Sequence, residues 1–503
     1  MTPRAPDRPR RAARALAWAV LMGCLGPTTP ARADGGPATV LLDAPAAVEG
    51  LRVTDVDGDG VADVLVVAGR EVRVWRGVKG GVPASAPTWI FQVPEGATYA
   101  WPAPVRAGAE ARAQPRSASL WALARTGLLR LSPGAPPTPV EGLAAAAPWS
   151  DPTKAVLTDF VRGASVLLPT AQGFRWVPDA LAAPRTTYDL PCAPTRRVTP
   201  PGPFVEDAAA LTTSWPAPTW GAGAGAQGPG AVTVVDDVSL RHYRVEGGKV
   251  VTRSISTAFL PSEGDHRLLL VDFDGDGTPD VLHEQTANES GVYTFLATRL
   301  TGGVGPGDAG APAFDRGTGG VVKLTGFQLA ADEVDLDGDG LPDFVVTTID
   351  IDKGNVLRAV LQGRVVAKTR AFLNHKASAD GIWFHGVPDA EVESDVGVRI
   401  RFTFSGAIDV QRSFTIVASA DVDGDGRKDL VIRAGGQALS IRRGVAKGVW
   451  ATEALEVRIP PLEKSPDVEA YAGDLTGDGR DDLVLLYRAP PGGADRTVVV
   501  LSP

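Results

Sequence analysis

One nine-residue pattern of aspartates and glycines occurs five times along the 503-residue chain. The copies read DVDGDGVAD at 55–63, DFDGDGTPD at 272–280, DLDGDGLPD at 335–343, DVDGDGRKD at 421–429 and DLTGDGRDD at 474–482. Carboxylates at alternating positions offer the oxygen ligands that a hard cation such as Ca2+ prefers. Carboxylates packed this closely repel one another unless a cation lies among them. We therefore predict a calcium site in each copy, rather than a solvated Asp-Gly turn.

The predicted ligands in each copy are the side chains of positions one, three, five and nine and the backbone carbonyl of position seven. Glycines at positions four and six let the backbone curl around the ion, because glycine tolerates positive φ. The last copy has Thr476 in place of the third aspartate, which predicts weaker binding. The full set is Asp55, Asp57, Asp59, Val61, Asp63, Asp272, Asp274, Asp276, Thr278, Asp280, Asp335, Asp337, Asp339, Leu341, Asp343, Asp421, Asp423, Asp425, Arg427, Asp429, Asp474, Thr476, Asp478, Arg480 and Asp482.

The copies differ from EF-hand loops, which need a bidentate Glu at the twelfth position and a helix on each side. The twelfth positions here are Val66, His283, Val346, Ile432 and Leu485. Short apolar, β-branched runs follow the aspartates instead, as at 64–67 and 344–347. Such runs indicate buried strands. The repeating unit is thus predicted to be strand, calcium loop, strand.

The repeated motif D-x-D-G-D-G-x-x-D resembles FG-GAP and VCBS repeats, the calcium-loop blades of integrin α-type β-propellers. The literal Phe-Gly-Gly-Ala-Pro sequence is missing, and the lead-ins at 51–54, 268–271 and 417–420 are closer to the bacterial VCBS style than to the animal receptors. The resemblance implies a β-propeller and structural calcium at about five sites. It does not imply one function.

Three further segments have the apolar rhythm of residues 63–75 but no calcium motif. They lie at 119–131, at 165–176 after a lone Asp159, and at 231–245. Together with the five calcium copies they make eight units, about fifty to sixty residues apart, which is a blade-sized period. We predict an all-β propeller of seven or eight four-stranded blades over residues 34–503, with degenerate blades within 100–250. Seven blades result if one metal-free unit is a loop.

Closure and one insertion are also predicted. The strand at 40–42 should pair with the C-terminal strands near 497–501, because closure removes a sheet edge. The long interval between the third and fourth calcium copies predicts an insertion at 372–393, which contains His375 and His385. No amphipathic helical pattern is present, so almost no helix is expected.

Residues 1–33 have the pattern of a signal peptide. A basic segment precedes an apolar stretch at 15–25, which is too short to span a membrane, and Ala31-Arg-Ala33 offers a cleavage site. This predicts export, to the periplasm or the extracellular space. The alternative is an outer-membrane lipoprotein anchored at Cys24. No later segment is long and apolar enough to be a transmembrane helix.

Charge and cysteine content exclude other classes. The net charge of −9 argues against nucleic acid as a partner, since phosphate binding needs a basic face. Nineteen aspartates at ligand positions explain much of this acidity. Cys192 is the one cysteine outside the leader, so no disulfide framework is possible and a structural thiol is expected. We expect a monomer.

Tryptophans are concentrated in the first half of the chain. Those in strand patterns are predicted to pack in the core: Trp75, Trp121 and Trp176. Those in Pro-rich loops are Trp89, Trp101, Trp149, Trp215 and Trp220. The loop tryptophans could stack on sugar rings or contact a protein partner. The alternative is that they fill spaces between blades, because tryptophan is largely buried on average.

Catalytic motifs are missing from the sequence. The five histidines, His242, His266, His283, His375 and His385, form no H-E-x-x-H pattern, and no G-x-S-x-G motif occurs. The loop histidines are expected to be solvated, and 221–230 is expected to be a flexible linker. We predict a secreted or cell-surface binding or adhesion module without catalysis, whose ligand is a protein or a glycan. The alternatives are a lectin-like carbohydrate binder and a polysaccharide-acting propeller enzyme with a polar cluster in its central channel.

Overall fold

The computed structural model describes most of residues 38–502. The residues outside the description are 1–37, 96, 103–117, 125–126, 141–142, 144–155, 158–160, 163–164, 171, 180–184, 193–194, 200–209, 215–217, 222–230, 236–238, 247, 257–264, 276–279, 288–291, 302–312, 351–352, 376–381, 403–407, 413, 435–436, 446–448, 461–466, 490–492 and 503. The predicted leader with Cys24, the lone Asp159, Trp149, Trp215 and most of the 221–230 linker therefore lie outside the described residues.

Small sheets follow one another along the chain and are arranged as an eight-bladed β-propeller. Blade 1 consists of β2 (Gly50–Thr54), β3 (Asp63–Ala68), β4 (Glu71–Trp75) and β5 (Trp89–Gln92). Blade 2 consists of β6 (Ala97–Pro102), β7 (Leu120–Ala124), β8 (Gly127–Leu131) and β9 (Thr138–Pro139), with β10 (Val156–Leu157) parallel to β6. Blade 3 consists of β11 (Val161–Arg162), β12 (Ser165–Thr170), β13 (Gly173–Val177) and β14 (Tyr188–Pro191), and blade 4 consists of β17 (Pro218–Gly221), β18 (Ala231–Val235), β19 (Ser239–Glu246) and β20 (Lys249–Ser256). A separate hairpin, β15 (Thr195–Thr199) and β16 (Ala210–Ser214), lies between blades 3 and 4 in the chain.

Blades 5 to 8 follow the same plan with longer strands. Blade 5 consists of β21 (Asp265–Val271), β22 (Asp280–Ala287), β23 (Val292–Thr301) and β24 (Ala313–Thr325), and blade 6 consists of β25 (Phe327–Val334), β26 (Asp343–Ile349), β27 (Arg364–Phe372), β28 (Ala390–Phe402) and β29 (Ile408–Arg412). Blade 7 consists of β30 (Thr415–Ala420), β31 (Asp429–Arg433), β32 (Ala438–Arg442) and β35 (Leu455–Arg458), with the side hairpin β33 (Gly444–Val445) and β34 (Val449–Trp450). Blade 8 consists of β36 (Asp467–Gly473), β37 (Asp482–Arg488), β38 (Arg496–Val500) and β1 (Thr39–Leu42). The structure thus decides for eight blades over seven.

The N-terminal strand closes the ring, as predicted. Strand β1 pairs antiparallel with β38, with Thr39 opposite Val500 and Leu42 opposite Thr497. Blade 8 therefore takes three strands from the end of the chain and one from its beginning. Closure of this kind leaves no blade with a missing strand and joins the two ends of the described chain.

The second strand of a blade is buried on both faces, because a neighbouring blade packs on each side. In β3, five of the six residues are buried, which explains why these strands appear in the sequence as continuous apolar runs. Hydrophobic clusters lie between successive blades, and three of them contain the tryptophans predicted to be core: Trp75, Trp121 and Trp176. Their exposed fractions of 0%, 3% and 1% confirm that prediction.

The long interval in blade 6 holds extra residues in more than one place. The helix α1 (Lys353–Gln362) connects β26 to β27, residues 373–389 connect β27 to β28, and β29 adds a fifth strand. The predicted insertion at 372–393 matches only the second of these. Among the described residues no helix is long and apolar enough to cross a membrane.

Candidate calcium loops

Each predicted calcium loop joins the first strand of a blade to the second. The five loops lie on blades 1, 5, 6, 7 and 8. Because blade 8 is next to blade 1 in the ring, these five blades are consecutive. All five loops also share one end of the propeller, since they make the same strand-to-strand connection. We call this row of loops at 272–280, 335–343, 421–429, 474–482 and 55–63 the calcium arc.

Carboxylates converge in four of the five loops. One oxygen from each residue of a group lies within 4.8 Å of the others. The groups are Asp55, Asp57 and Asp63; Asp272, Asp274 and Asp280; Asp335, Asp337 and Asp339; and Asp421, Asp423 and Asp429. In the described part of the chain the loop with Thr476 forms no such group, in keeping with its missing carboxylate. Asp276 and Thr278 lie outside the described residues.

The aspartate at position nine ties each loop to the rest of its blade. In blade 7, Asp429 Oδ2 accepts a hydrogen bond from the Val422 N–H at 2.8 Å, and its Oδ1 accepts one from the Gly444 N–H at 2.7 Å. In blade 1, Asp63 makes the same two bonds to backbone N–H groups. Asp343 and Asp482 also accept two backbone N–H groups each. Each carboxylate oxygen retains a second lone pair that could bind a cation.

Burial makes the ionised form of these aspartates costly. Desolvation outweighs the backbone hydrogen bonds and raises the pKa of Asp63 to about 7, of Asp343 to about 7 and of Asp482 to about 6. It also raises the pKa of Asp429. A divalent cation within the loop would offset this cost, because it favours the ionised form directly.

The aspartate at position one organises the loop backbone. Asp421 Oδ1 accepts a hydrogen bond from the Gly424 N–H at 2.8 Å, and Oδ2 accepts one from the Gly426 N–H at 2.9 Å. Both glycines have positive φ, 76° and 87°, as the motif predicted. The loop therefore wraps around its own first carboxylate before any ion is considered.

One buried oxygen in the 421–429 loop is compatible with a cation there. Asp423 Oδ1 is buried and accepts no hydrogen bond from any described residue, while Asp423 Oδ2 lies 3.5 Å from Nε of Arg443. A buried carboxylate oxygen without a donor is costly unless a cation is close to it. Position three is a predicted ligand in this loop, so the donor set suits Ca2+.

Sequence reasoning missed an arginine beside the first loop. Arg76 Nε lies 2.8 Å from Asp57 Oδ2, and its Nη2 lies 2.7 Å from Asp59 Oδ2. Gly77 follows it because a Cβ at that position would lie 2.2 Å from the Ala62 carbonyl oxygen. The same Arg-Gly pair recurs at 443–444 in blade 7, and this repetition is the signal that could have revealed it.

The structure brings together the histidines of the blade 6 insertion. The rings of His375 and His385 have centroids 4.8 Å apart. His375 Nε2 lies 3.1 Å from Asp389 Oδ1, and Asp389 Oδ2 accepts a hydrogen bond from the Leu373 N–H. The expectation that the loop histidines are simply solvated was therefore wrong for His375, which is held by a carboxylate. In contrast, His242 is buried in blade 4 and hydrogen-bonded to Thr233, as a core residue.

The loop tryptophans are only partly accounted for. Trp89 lies in β5 and is partly buried against the cluster between blades 1 and 2, which favours the packing interpretation for that residue. Trp101 and Trp220 also lie in strands, β6 and β17, so the prediction of loops was wrong for these three tryptophans.

A cavity of about 320 Å³ lies where the first strands β25, β30 and β36 approach one another. Its titratable lining residues are Glu469 and Tyr471. Glu469 Oε2 accepts a hydrogen bond from the Tyr471 hydroxyl at 2.6 Å, and its Oε1 lies 2.7 Å from Nε of Arg488. Burial, reinforced by Glu469, raises the pKa of Tyr471. The cavity's carboxylate is thus already held by two donors.

Comparison with known proteins matches part of the chain to a family. The family model for the FG-GAP-like repeat matches residues 421–485, which span the loops of blades 7 and 8. A comparison with curated protein sequences found no significant match. Among solved structures, the crystal structures of TcdB2-TccC3-TEV and TcdB2-TccC3 match at 14% and 13% identity, each with a TM-score of 0.15. The alignments cover 92% of this chain but 28% of those chains, and at this TM-score they carry no argument.

Proposed function

We propose that the chain is an exported, calcium-stabilised β-propeller that acts as a binding module without catalysis. The observation that carries this proposal is the calcium arc, whose five loops lie on consecutive blades and in four of which carboxylate oxygens converge to within 4.8 Å of one another. The match of residues 421–485 to the FG-GAP-like repeat supports it.

Calcium would supply positive charge to loops whose buried carboxylates otherwise repel. The residues of the chain themselves shape and fix the loops. The first aspartate shapes each loop, and the ninth fixes it to the end of the third strand. An ion that binds only the folded state stabilises that state by mass action, about 2.7 kcal/mol per site at a free concentration 100 times Kd. Extracellular calcium modules can bind weakly and still be saturated.

The ligand of the module is proposed to be a protein or a glycan, bound at the secreted or surface-exposed propeller. The metal-free blades 2 to 4 are the proposed binding region, because this part of the chain is free of the calcium motif and contains four of the five tryptophans in Pro-rich segments. The absence of catalysis is proposed because the sequence contains neither an H-E-x-x-H nor a G-x-S-x-G motif. A glycan array run in calcium separates a glycan binder from a protein binder.

Thermal unfolding with and without chelation tests the proposal. In excess EGTA we expect Tm to fall by on the order of 10 °C, because several stabilising ions are lost together. Added Ca2+ should restore Tm, whereas added Mg2+ should not, because Mg2+ demands a smaller octahedral site. A Tm that EGTA leaves unchanged would overturn calcium stabilisation.

A pair of variants localises the effect. The double variant Asp421→Asn with Asp423→Asn removes two ligand charges from one loop and should reduce the number of bound ions by one. The matched control Asp189→Asn removes an exposed carboxylate of blade 3 that pairs with Arg175 at 2.9 Å. This control should bind as many ions as the unmodified chain, measured by isothermal titration calorimetry.

A further inference from the structure

Neighbouring loops of the calcium arc are joined by backbone hydrogen bonds. The Lys428 N–H donates to the Leu336 carbonyl at 3.1 Å, and the Asp481 N–H donates to the Asp421 carbonyl at 2.6 Å. Across the ring closure, the Ala62 N–H donates to the Asp474 carbonyl at 2.9 Å. In every case the eighth residue of one loop bonds to the first or second residue of the loop on the preceding blade.

These bonds connect ligand positions. The eighth residue directly precedes the ninth-position aspartate, and the accepting carbonyl belongs to the first predicted ligand or to the residue after it. Contacts between loops are also close: a Cβ on Gly424 would lie 2.9 Å from the Gly479 carbonyl oxygen. A loop that shifts to take up an ion therefore moves the backbone beside the ligands of its neighbour.

Two side chains outside the predicted ligand set reinforce this connection. Asp481 Oδ2 accepts a hydrogen bond from the Asp421 N–H at 2.8 Å and lies 3.5 Å from Nζ of Lys428. Asp481 is thus a carboxylate of the 474–482 loop that holds the first ligand residue of the 421–429 loop. The eighth residues of the other four loops are Ala, Pro, Pro and Lys, so this carboxylate is particular to blade 8.

Asn374 makes the corresponding link between blades 5 and 6. Its Nδ2 donates to the Phe273 carbonyl at 2.6 Å, within the 272–280 loop. Its backbone N–H donates at 2.8 Å to Asp343 Oδ1, the ninth position of the 335–343 loop. Asn374 is buried, so solvent does not compete for these bonds.

We propose that the calcium arc fills cooperatively, and that Asp481 and Asn374 are positioning residues that couple adjacent loops. The inference rests on the proposed calcium binding, and it adds that binding at one loop regulates binding at the adjacent loop. The physical cause is conformational ordering: an ion that orders one loop also orders the backbone next to the neighbouring ligands, so the second ion loses less conformational entropy.

Electrostatics acts in the opposite direction, because each bound ion lowers the negative potential felt by the next. The two effects differ in their dependence on salt. Screening acts over about 8 Å at 0.15 M ionic strength and over about 3 Å at 1 M. The ordering effect does not depend on screening, so cooperativity should persist or increase as salt is added.

Calcium titration of the full chain by isothermal titration calorimetry is the test. The unmodified protein should bind with a Hill coefficient above unity. Asp481→Ala should bring the coefficient closer to unity and weaken the affinity of the blade 7 site about tenfold, although no ligand is lost. Asp481→Asn retains an oxygen that can accept the Asp421 N–H, and should recover most of the coupling. Asp189→Ala, an exposed aspartate in a metal-free blade, is the matched control and should titrate like the unmodified chain.

Asn374→Ala provides an independent second variant, with the loss expected between the 272–280 and 335–343 loops. Backbone hydrogen exchange on the same samples keeps the test independent of heat signals: in Asp481→Ala, calcium at the 474–482 loop should no longer protect amides of the 421–429 loop. Independent sites in the unmodified chain, or coupling unchanged in both variants, would overturn the inference while calcium binding itself stands. A chain that binds no calcium would instead overturn the proposed function.

Discussion

The calcium arc and the metal-free blades contain the same β-hairpin, but the side chain at one position of that hairpin differs. In blade 1, Asp63 lies next to Val64, which pairs with Trp75. In blade 3, Ser165 lies next to Val166, which pairs with Val177 in the same way. Asp63 and Ser165 are both fully buried. The two residues therefore occupy corresponding places, one as a carboxylate and the other as a hydroxyl.

Their partners explain the difference. Asp63 Oδ1 accepts a hydrogen bond from the Gly77 N–H, whereas Ser165 Oγ donates to the Pro178 carbonyl at 2.6 Å. Gly77 lies two residues after Trp75, so its counterpart in blade 3 is Asp179, and the hydroxyl of Ser165 bonds to the residue before that position. In this blade, which lacks the Asp-Gly motif, the corresponding position is thus held by a neutral hydroxyl. The arc uses charged groups instead, and the comparison predicts that its stability depends on a cation.

The largest expected effect is a regional loss of protection when calcium is removed. Amides of β3, β31 and β37 should exchange with solvent about 100-fold faster in calcium-free buffer, since each loses a bound ion worth about 2.7 kcal/mol at 100 times Kd. Amides of β12 should be nearly unaffected. Hydrogen–deuterium exchange with mass spectrometry makes this measurement. Equal loss in both regions would show that the propeller unfolds as one unit and would break the comparison.

Next in size is the removal of a ninth-position aspartate. Asp429→Ala leaves the buried Val422 and Gly444 N–H groups without an acceptor and should reduce the free energy of unfolding by about 2–5 kcal/mol, measured in calcium by denaturant titration. The matched change Ser165→Ala loses one hydroxyl hydrogen bond and should cost about 1 kcal/mol. Similar costs for the two variants would contradict a special role for the carboxylate.

Placing the ninth-position aspartate of the arc at the corresponding position of a metal-free blade sharpens the comparison between the two kinds of blade. Ser165→Asp places a carboxylate in a buried site opposite the Pro178 carbonyl and should reduce the free energy of unfolding by about 3 kcal/mol at neutral pH. Calcium should not restore this loss, because the other ligands are missing there. The loss should shrink in acid, where the new carboxyl is protonated. Rescue by calcium would show that blade 3 retains a hidden metal site.

The smallest expected effect is on pH dependence. In the folded, calcium-free state burial raises the pKa of Asp63 and Asp343 to about 7, above the ordinary value of 3.8. A raised carboxyl pKa contributes stability that is present below the unfolded value and is lost as pH rises through about 7. Calcium-free protein should therefore melt a few degrees higher at about pH 5.5 than at about pH 8. In saturating calcium the preference should disappear or reverse, because protons then compete with the ion.

Several features of the fold were predictable from the sequence because they depend on local pattern. The continuous apolar runs after each motif became second strands, since both of their faces are covered by neighbouring blades. The rhythm shared by 63–75 and 119–131 correctly identified a blade that lacks the Asp-Gly motif. The pairing of 40–42 with the C-terminal strand followed from the need to close a ring. The structure of blade 6 was less predictable, because no repeated pattern in the sequence specifies the helix α1 between β26 and β27.

The candidate site divides in the same way. Type and spacing alone determined which aspartates and glycines form each loop, because these interactions lie within nine residues. Only the tertiary structure decided that the five loops are consecutive in the ring and that backbone hydrogen bonds join the four loops from blade 6 to blade 1. Arg76, Asn374 and Asp481 reach the loops through contacts between strands or blades, and no local pattern encodes such contacts. The predicted ligands are thus a property of the sequence, whereas their connection into one arc is a property of the closed propeller.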